Sequence, residues 1–211
     1  MPLVKKIETK ISEEDYLEGE LLSEIKHEYI DGTVYAMSGA SRNHNLIVSN
    51  VLSEIKNKLK QQKSPCDVFS SDMKVKESEK TTKYFYPDVV ITCEPDDNES
   101  EYYINSPILI VEVLSESTRK YDLTTKKLYY FNIPTLEEYI VIEQDICRVE
   151  VFRKKDNWNS TSYFPGDEIS IKSIDIIVSV EDIYYHVENK SMDLYLNKKE
   201  EKNAFSKENR T

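Results

Sequence analysis

Tyr86-Pro-Asp-Val-Val-Ile-Thr92 and Ile108-Leu-Ile-Val-Glu-Val-Leu114 are the two apolar runs that decide the fold. Each reads as a β-strand, and each carries one carboxylate that a plain core strand has no use for. Asp88 follows Pro87, and Glu112 has apolar residues on both sides. An unpaired carboxylate in such surroundings costs several kcal/mol or shifts its pKa until it neutralises. Period-two alternation puts Ile108, Ile110, Glu112 and Leu114 on one face of the second run. It groups Asp88, Val90 and Thr92 on one face of the first. If the strands pair, Asp88 and Glu112 converge. Two carboxylates suit a hard cation that prefers oxygen, Mg²⁺ or Mn²⁺.

The pattern predicts helices and strands on either side. Ser12-Glu-Glu-Asp15 is a capping box before an amphipathic stretch, which predicts a helix over about 12–25. Asp31-Gly32 between His27–Ile30 and Thr33–Met37 signals a hairpin, with Glu28 and Ile30 on one face and His27 and Tyr29 on the other. From His44 to about Gln62, Ile47, Val51, Ile55 and Leu59 recur at helical spacing. Val68-Phe69 and Asp72–Lys76 read as strand pieces, 77–83 as a charged turn, and 94–105 as an exposed polar connection. Tyr121–Ile133 reads as a helix with Leu123, Lys127 and Tyr130 on one side and Lys126 and Tyr129 just round from it. Strands follow at Glu138–Ile142, Cys147–Phe152, Thr161–Phe164 and Glu168–Ile171, and Ile174–Tyr184 closes the folded part. The order predicts an α/β (α+β) domain, a mixed central sheet flanked by helices, over residues 1–190, with a mobile charged tail over 191–211.

Composition narrows the function. Hydrophobic residues make up 39% and charged residues 32% of the 211, a globular composition. No apolar run approaches the roughly 18 residues of a membrane span. Cys66, Cys93 and Cys147 are an odd, scattered set that predicts neither a disulfide framework nor a zinc site, so a reducing cytoplasm is the expected setting. The net charge of −11 counts against a generic nucleic-acid binder, whose surface is basic, though not against an enzyme with a few local cations.

Taken in order, several segments resemble one family: His27-Glu-Tyr-Ile-Asp-Gly32, Met37-Ser-Gly39 with His44, Ser71-Asp-Met-Lys-Val75, Tyr86-Pro-Asp-Val-Val90, Pro107–Ser115, Asp122 with Lys126 and Tyr130, Ile133-Pro134 and Glu138-Tyr139. The chain resembles the PD-(D/E)xK nucleases and, more narrowly, the Uma-two family of restriction-endonuclease-like proteins, over roughly residues 12–185. The resemblance implies a restriction-endonuclease-like core and Mg²⁺-dependent phosphodiester hydrolysis on DNA, with Asp88 and Glu112 as metal ligands. One departure stands out. The superfamily lysine would fall at Leu114, which can neither donate a proton nor bind phosphate. The resemblance moves that role to the next helix, to Lys126, with Lys127 its nearest competitor. It also brings in Glu28 as a further metal or water ligand and His44 as a phosphate or proton-transfer residue. A homodimer is expected, because enzymes that cut both strands match the two-fold symmetry of duplex DNA. The acidic balance and Leu114 favour a second reading, a catalytically silent descendant that binds nucleic acid or protein.

Overall fold

The computed structural model describes residues 10–78, 81–94, 101–116 and 118–208. In chain order the elements are α1 (Glu13–Leu22), β1 (His27–Ile30), β2 (Thr33–Ala36), α2 (Arg42–Gln62), β3 (Asp67–Ser70), β4 (Lys74–Ser78), β5 (Thr81–Phe85), β6 (Val89–Thr92), β7 (Tyr103–Ile104) and β8 (Pro107–Leu114). Then come α3 (Arg119–Tyr121), a π-helical turn (Asp122–Lys126), α4 (Lys127–Tyr130), β9 (Glu138–Glu143), β10 (Val149–Arg153), β11 (Ser160–Tyr163), β12 (Glu168–Ile171), β13 (Ile176–Ser179), α5 (Val180–Ile183) and α6 (Lys190–Glu208).

Among the described residues three sheets form, ordered β2-β1-β5-β4-β7, β11-β10-β9-β8-β6-β3 and β12-β13. In the second, β8 pairs antiparallel with β6 and parallel with β9. It is buried on both faces. Leu109, Val111 and Val113 join a core with Ile47, Val51, Ile55 and Leu59 of α2. Ile110 and Leu114 join a second core with Val75, Phe85, Tyr130 and Tyr139. That two-sided burial is why β8 reads as an almost unbroken apolar run. The fold is the mixed α+β arrangement expected.

Local chemistry explains the elements. Ser12 Oγ accepts the Asp15 N–H at 3.0 Å and caps α1. Ser41 Oγ does the same for the His44 N–H at 3.1 Å at the start of α2. The β1–β2 turn uses positive φ at Asp31 (48°) and Gly32 (96°), as a two-residue hairpin requires.

Several expectations need correction. The charged turn at 77–83 is instead the end of β4 and the start of β5, with 79–80 outside the described residues. Its charged residues hid a strand because Glu77 and Lys83 are buried and pair with each other at 3.4 Å across the hairpin. Tyr86–Thr92 is not one strand: Tyr86, Pro87 and Asp88 link β5 to β6, since proline offers no N–H to a ladder. Most of the 94–105 connection, residues 95–100, lies outside the described residues. Cys66 and Cys93 form a disulfide, which the scattered spacing did not predict. The antiparallel register Asp67↔Thr92 brings the two cysteines opposite each other. Cys147 is a buried free thiol, as expected. The stretch read as a mobile tail is helical over Lys190–Glu208, with Met192 buried and Tyr195 packed on the α2-side core.

Candidate active site

Glu28, Glu112 and Asp122 surround the ammonium of Lys126, and Asp88 joins them beside Glu112. β8 carries Glu112 on the face shared with Ile110 and Leu114, inside the second core. The register Val89↔Val111, carried one step, sets Asp88 opposite Glu112. Asp88 Oδ2 accepts the Val113 N–H at 2.7 Å, which pins its carboxylate to β8. β1 brings Glu28, the helical stretch after β8 brings Lys126, and the first turn of α2 brings His44. All five side chains expected at the site therefore lie in one neighbourhood.

The distances define a buried polar cluster. Lys126 Nζ lies 2.8 Å from Glu28 Oε1, 3.1 Å from Glu112 Oε1 and 3.6 Å from Asp122 Oδ1. Tyr130 donates its hydroxyl to the same Glu112 oxygen at 2.9 Å. The Tyr86 N–H reaches Glu28 Oε1 at 3.4 Å. His44 Nε2 is 3.2 Å from Asp88 Oδ2, and both side chains keep 13% exposure where the Lys126 side chain keeps 6%. The cluster is thus most open to solvent at the His44–Asp88 end. His44 Nδ1 is buried without a hydrogen-bond partner among the described residues.

Charge balance sets the protonation states. Burial pushes the Glu112 carboxyl well above the usual carboxylate range; Lys126 opposes this, and Asp122, Asp88 and Glu28 add to it. Asp122 is raised for the same first reason, burial. Burial acts to lower Lys126, but the carboxylates of Glu112, Glu28 and Asp122 outweigh it and hold the ammonium charged. His44 follows the same logic: burial lowers it, the Asp88 hydrogen bond and charge raise it more, and the net shift is upward. Four carboxyl groups face one ammonium, Lys126, and one imidazole, His44, and burial favours the neutral form of two of the four, Glu112 and Asp122.

The donor set fits a hard cation in kind, because it is all carboxyl oxygen. Among the described residues, however, no three His, Cys, Asp or Glu side chains stand together as a ready metal cage. The Lys126 ammonium takes up oxygen from Glu28 and Glu112.

The helix reading placed Lys127 with Tyr130 and set Lys126 round from it. The reverse holds. Asp122, Lys126 and Tyr130 are buried together, while Lys127 Nζ lies 4.8 Å over the Phe152 ring. The π-turn winds Asp122–Lys126 with i→i+5 bonding, more residues per turn than an α-helix, and both Asp122 and Lys126 are buried in it. The resemblance includes Asp122 and Tyr130 but assigns neither a role. Their spacing from Lys126, four residues on each side, was the available signal.

A family model described as "Putative restriction endonuclease", Uma2, matches residues 13–177. The uncharacterized protein slr1290 of Synechocystis sp. (strain ATCC 27184 / PCC 6803 / Kazusa) is 36% identical over 177 residues, covering 83% of this chain and 92% of its own. A second uncharacterized protein of that strain, sll1609, is 35% identical over 144 residues, covering 66% and 78%. In three dimensions the chain is similar to the crystal structure of a putative nuclease belonging to DUF820 from Anabaena variabilis ATCC 29413. The TM-score is 0.66 and the identity 18%, with 82% of this chain and 97% of that one covered.

Proposed function

The chain belongs to the Uma2 family, and from that premise we propose that it is a metal-dependent endonuclease hydrolysing phosphodiester bonds in DNA. The observation that carries this reading is the buried cluster at the start of β6 and in β8, where four carboxyl groups gather round one ammonium and one imidazole. A fold that needed only stability would not keep four carboxylates there, since replacing a buried ionic group by well-packed apolar residues is often neutral or stabilising. Asp88 and Glu112 would hold Mg²⁺ or Mn²⁺, with Glu28 as a further ligand. Bound there, the cation supplies Lewis acidity towards a phosphate oxygen and lowers the pKa of a coordinated water.

The chain's own residues do the rest. Lys126 presents an ammonium, on the helical stretch after β8, to orient a water or offset charge growing on phosphate oxygens. Tyr130 holds the Glu112 carboxylate in place through its hydroxyl. His44 sits at the more open end, where a phosphate would arrive, and Asp88, against the pull of burial, favours its charged form. A homodimer suits a duplex substrate, and light scattering would then give about twice the 24.7 kDa chain mass.

The test is cleavage of supercoiled plasmid with Mg²⁺, with Mn²⁺ and with chelator. Wild type is expected to nick or linearise the plasmid only with a divalent cation, and Glu112→Ala is expected to do neither. Wild type that binds the cation but leaves plasmid intact would instead support the silent, nucleic-acid- or protein-binding reading. The ion pairs of Lys126 to Glu28 and Glu112 are the feature that favours that second reading.

A further inference from the structure

The three carboxylates around Lys126 are not equivalent. Glu28 at 2.8 Å and Glu112 at 3.1 Å are within hydrogen-bond reach, while Asp122 at 3.6 Å is not. Glu28 stands on β1 and Glu112 on β8, in two different sheets. Asp122 stands on the same helical stretch as Lys126, four residues earlier, and moves with it. Its side chain keeps only 4% exposure. A side-chain hydrogen bond from Thr118 also reaches the Asp122 carboxyl, so it is anchored within this stretch independently of Glu28 and Glu112.

We propose that Asp122 is a positioning residue: it takes over the Lys126 ammonium when Glu112 and Glu28 turn to a divalent cation. This rests on the metal-site reading above. Lys126 faces Oε1 of both Glu28 and Glu112, so a cation that draws these two oxygens competes with the ammonium for them. When the cation takes them, Lys126 loses its two close partners, and Asp122 is the neighbour that no cation on β6 and β8 removes. Closing from 3.6 Å to a hydrogen bond needs only a small side-chain adjustment within the turn. Asp122 thereby keeps the ammonium beside the reacting groups instead of releasing it to solvent.

Two measurements on the full chain test this, in wild type, Asp122→Asn and Asp122→Glu. Calorimetry gives Mg²⁺ uptake. Peptide mass spectrometry gives the rate at which acetic anhydride acylates Lys126, with chelator and with saturating Mg²⁺. In wild type, Lys126 should stay protected in both conditions. In Asp122→Asn it should stay protected with chelator, where Glu28 and Glu112 still hold it, and react about tenfold faster with Mg²⁺, as local exposure sets the reactivity of a buried group. Asp122→Glu should restore protection. Equal reactivity of Asp122→Asn with and without Mg²⁺, whether low or high, overturns the proposal while leaving the metal site standing. So does loss of Mg²⁺ uptake in Asp122→Asn, which would make Asp122 part of the metal site itself. Wild-type Lys126 that becomes reactive on adding Mg²⁺ overturns it without any variant, so the test survives a variant that fails to fold. Absence of Mg²⁺ uptake by wild type overturns the metal reading and this proposal together.

Discussion

Removing the Lys126 ammonium would leave Glu28, Glu112 and Asp122 buried against one another. Breaking a buried ion pair from one side costs roughly 3–5 kcal/mol, so Lys126→Met should lower the unfolding free energy by about that much in urea denaturation, less with saturating Mg²⁺. Two pH effects follow from the shifts. Burial raises the folded-state pKa of Glu112 above 4.5, so the native state binds its proton where the unfolded chain has lost it. Stability therefore declines as pH rises from about 4.5 through the raised value, and Glu112→Gln should flatten that decline. His44 is raised above 6.5 by Asp88 against the pull of burial. Its contribution is full below pH 6.5 and is lost as pH rises through the folded value, so the stability gap between wild type and His44→Gln should shrink across that window. Asp88 and Glu112 were legible because a charge inside an apolar run is anomalous on its face. Asp122 was not, because a carboxylate in a polar helical segment looks like any solvated one until the packing is known.

α2 is the element whose sequence spoke most clearly. Ile47, Val51, Ile55 and Leu59 recur every four residues, and all four are buried against β6 and β8. Ile55→Ala should cost about 2–5 kcal/mol by thermal or chemical unfolding. The β1–β2 turn was equally readable. Gly32 sits at φ 96°, and a Cβ there would meet the Lys10 side chain at 2.8 Å. Gly32→Ala should therefore destabilise by about 1–2 kcal/mol, visible as a lower melting temperature. The Cys66–Cys93 disulfide was illegible because it depends on the β3–β6 register, set across 27 residues. Cys93→Ser should cost about 2–4 kcal/mol under oxidising conditions, and the gap should close in reductant. The pairing also withdraws the cysteine argument for a reducing compartment. The π-turn escaped for a similar reason: side-chain spacing assumes 3.6 residues per turn, and nothing local announces a wider one.

At the scale of the molecule, β8 is shared between two cores, and the site lies between that strand and β1 of the first sheet. A chain of net charge −11 brings few cations to a polyanion. Each phosphate neutralised contributes about −0.9 to the slope of log affinity against log salt, so DNA binding followed by fluorescence anisotropy should give a shallow slope. A slope steeper than about −5 would require a broad basic face that this composition does not offer. Among the described residues no helix is long and apolar enough to cross a membrane. From residue order alone came the mixed α+β layout, the α2 core stripe, the hairpin and the pair Asp88 and Glu112, because periodicity and misplaced charge are local properties. Tertiary structure alone decided which lysine the acids meet, that Asp122 and Tyr130 join them, and that Cys66 reaches Cys93. Those depend on strand register and on the winding of one turn, which long-range packing selects and no short window of sequence encodes.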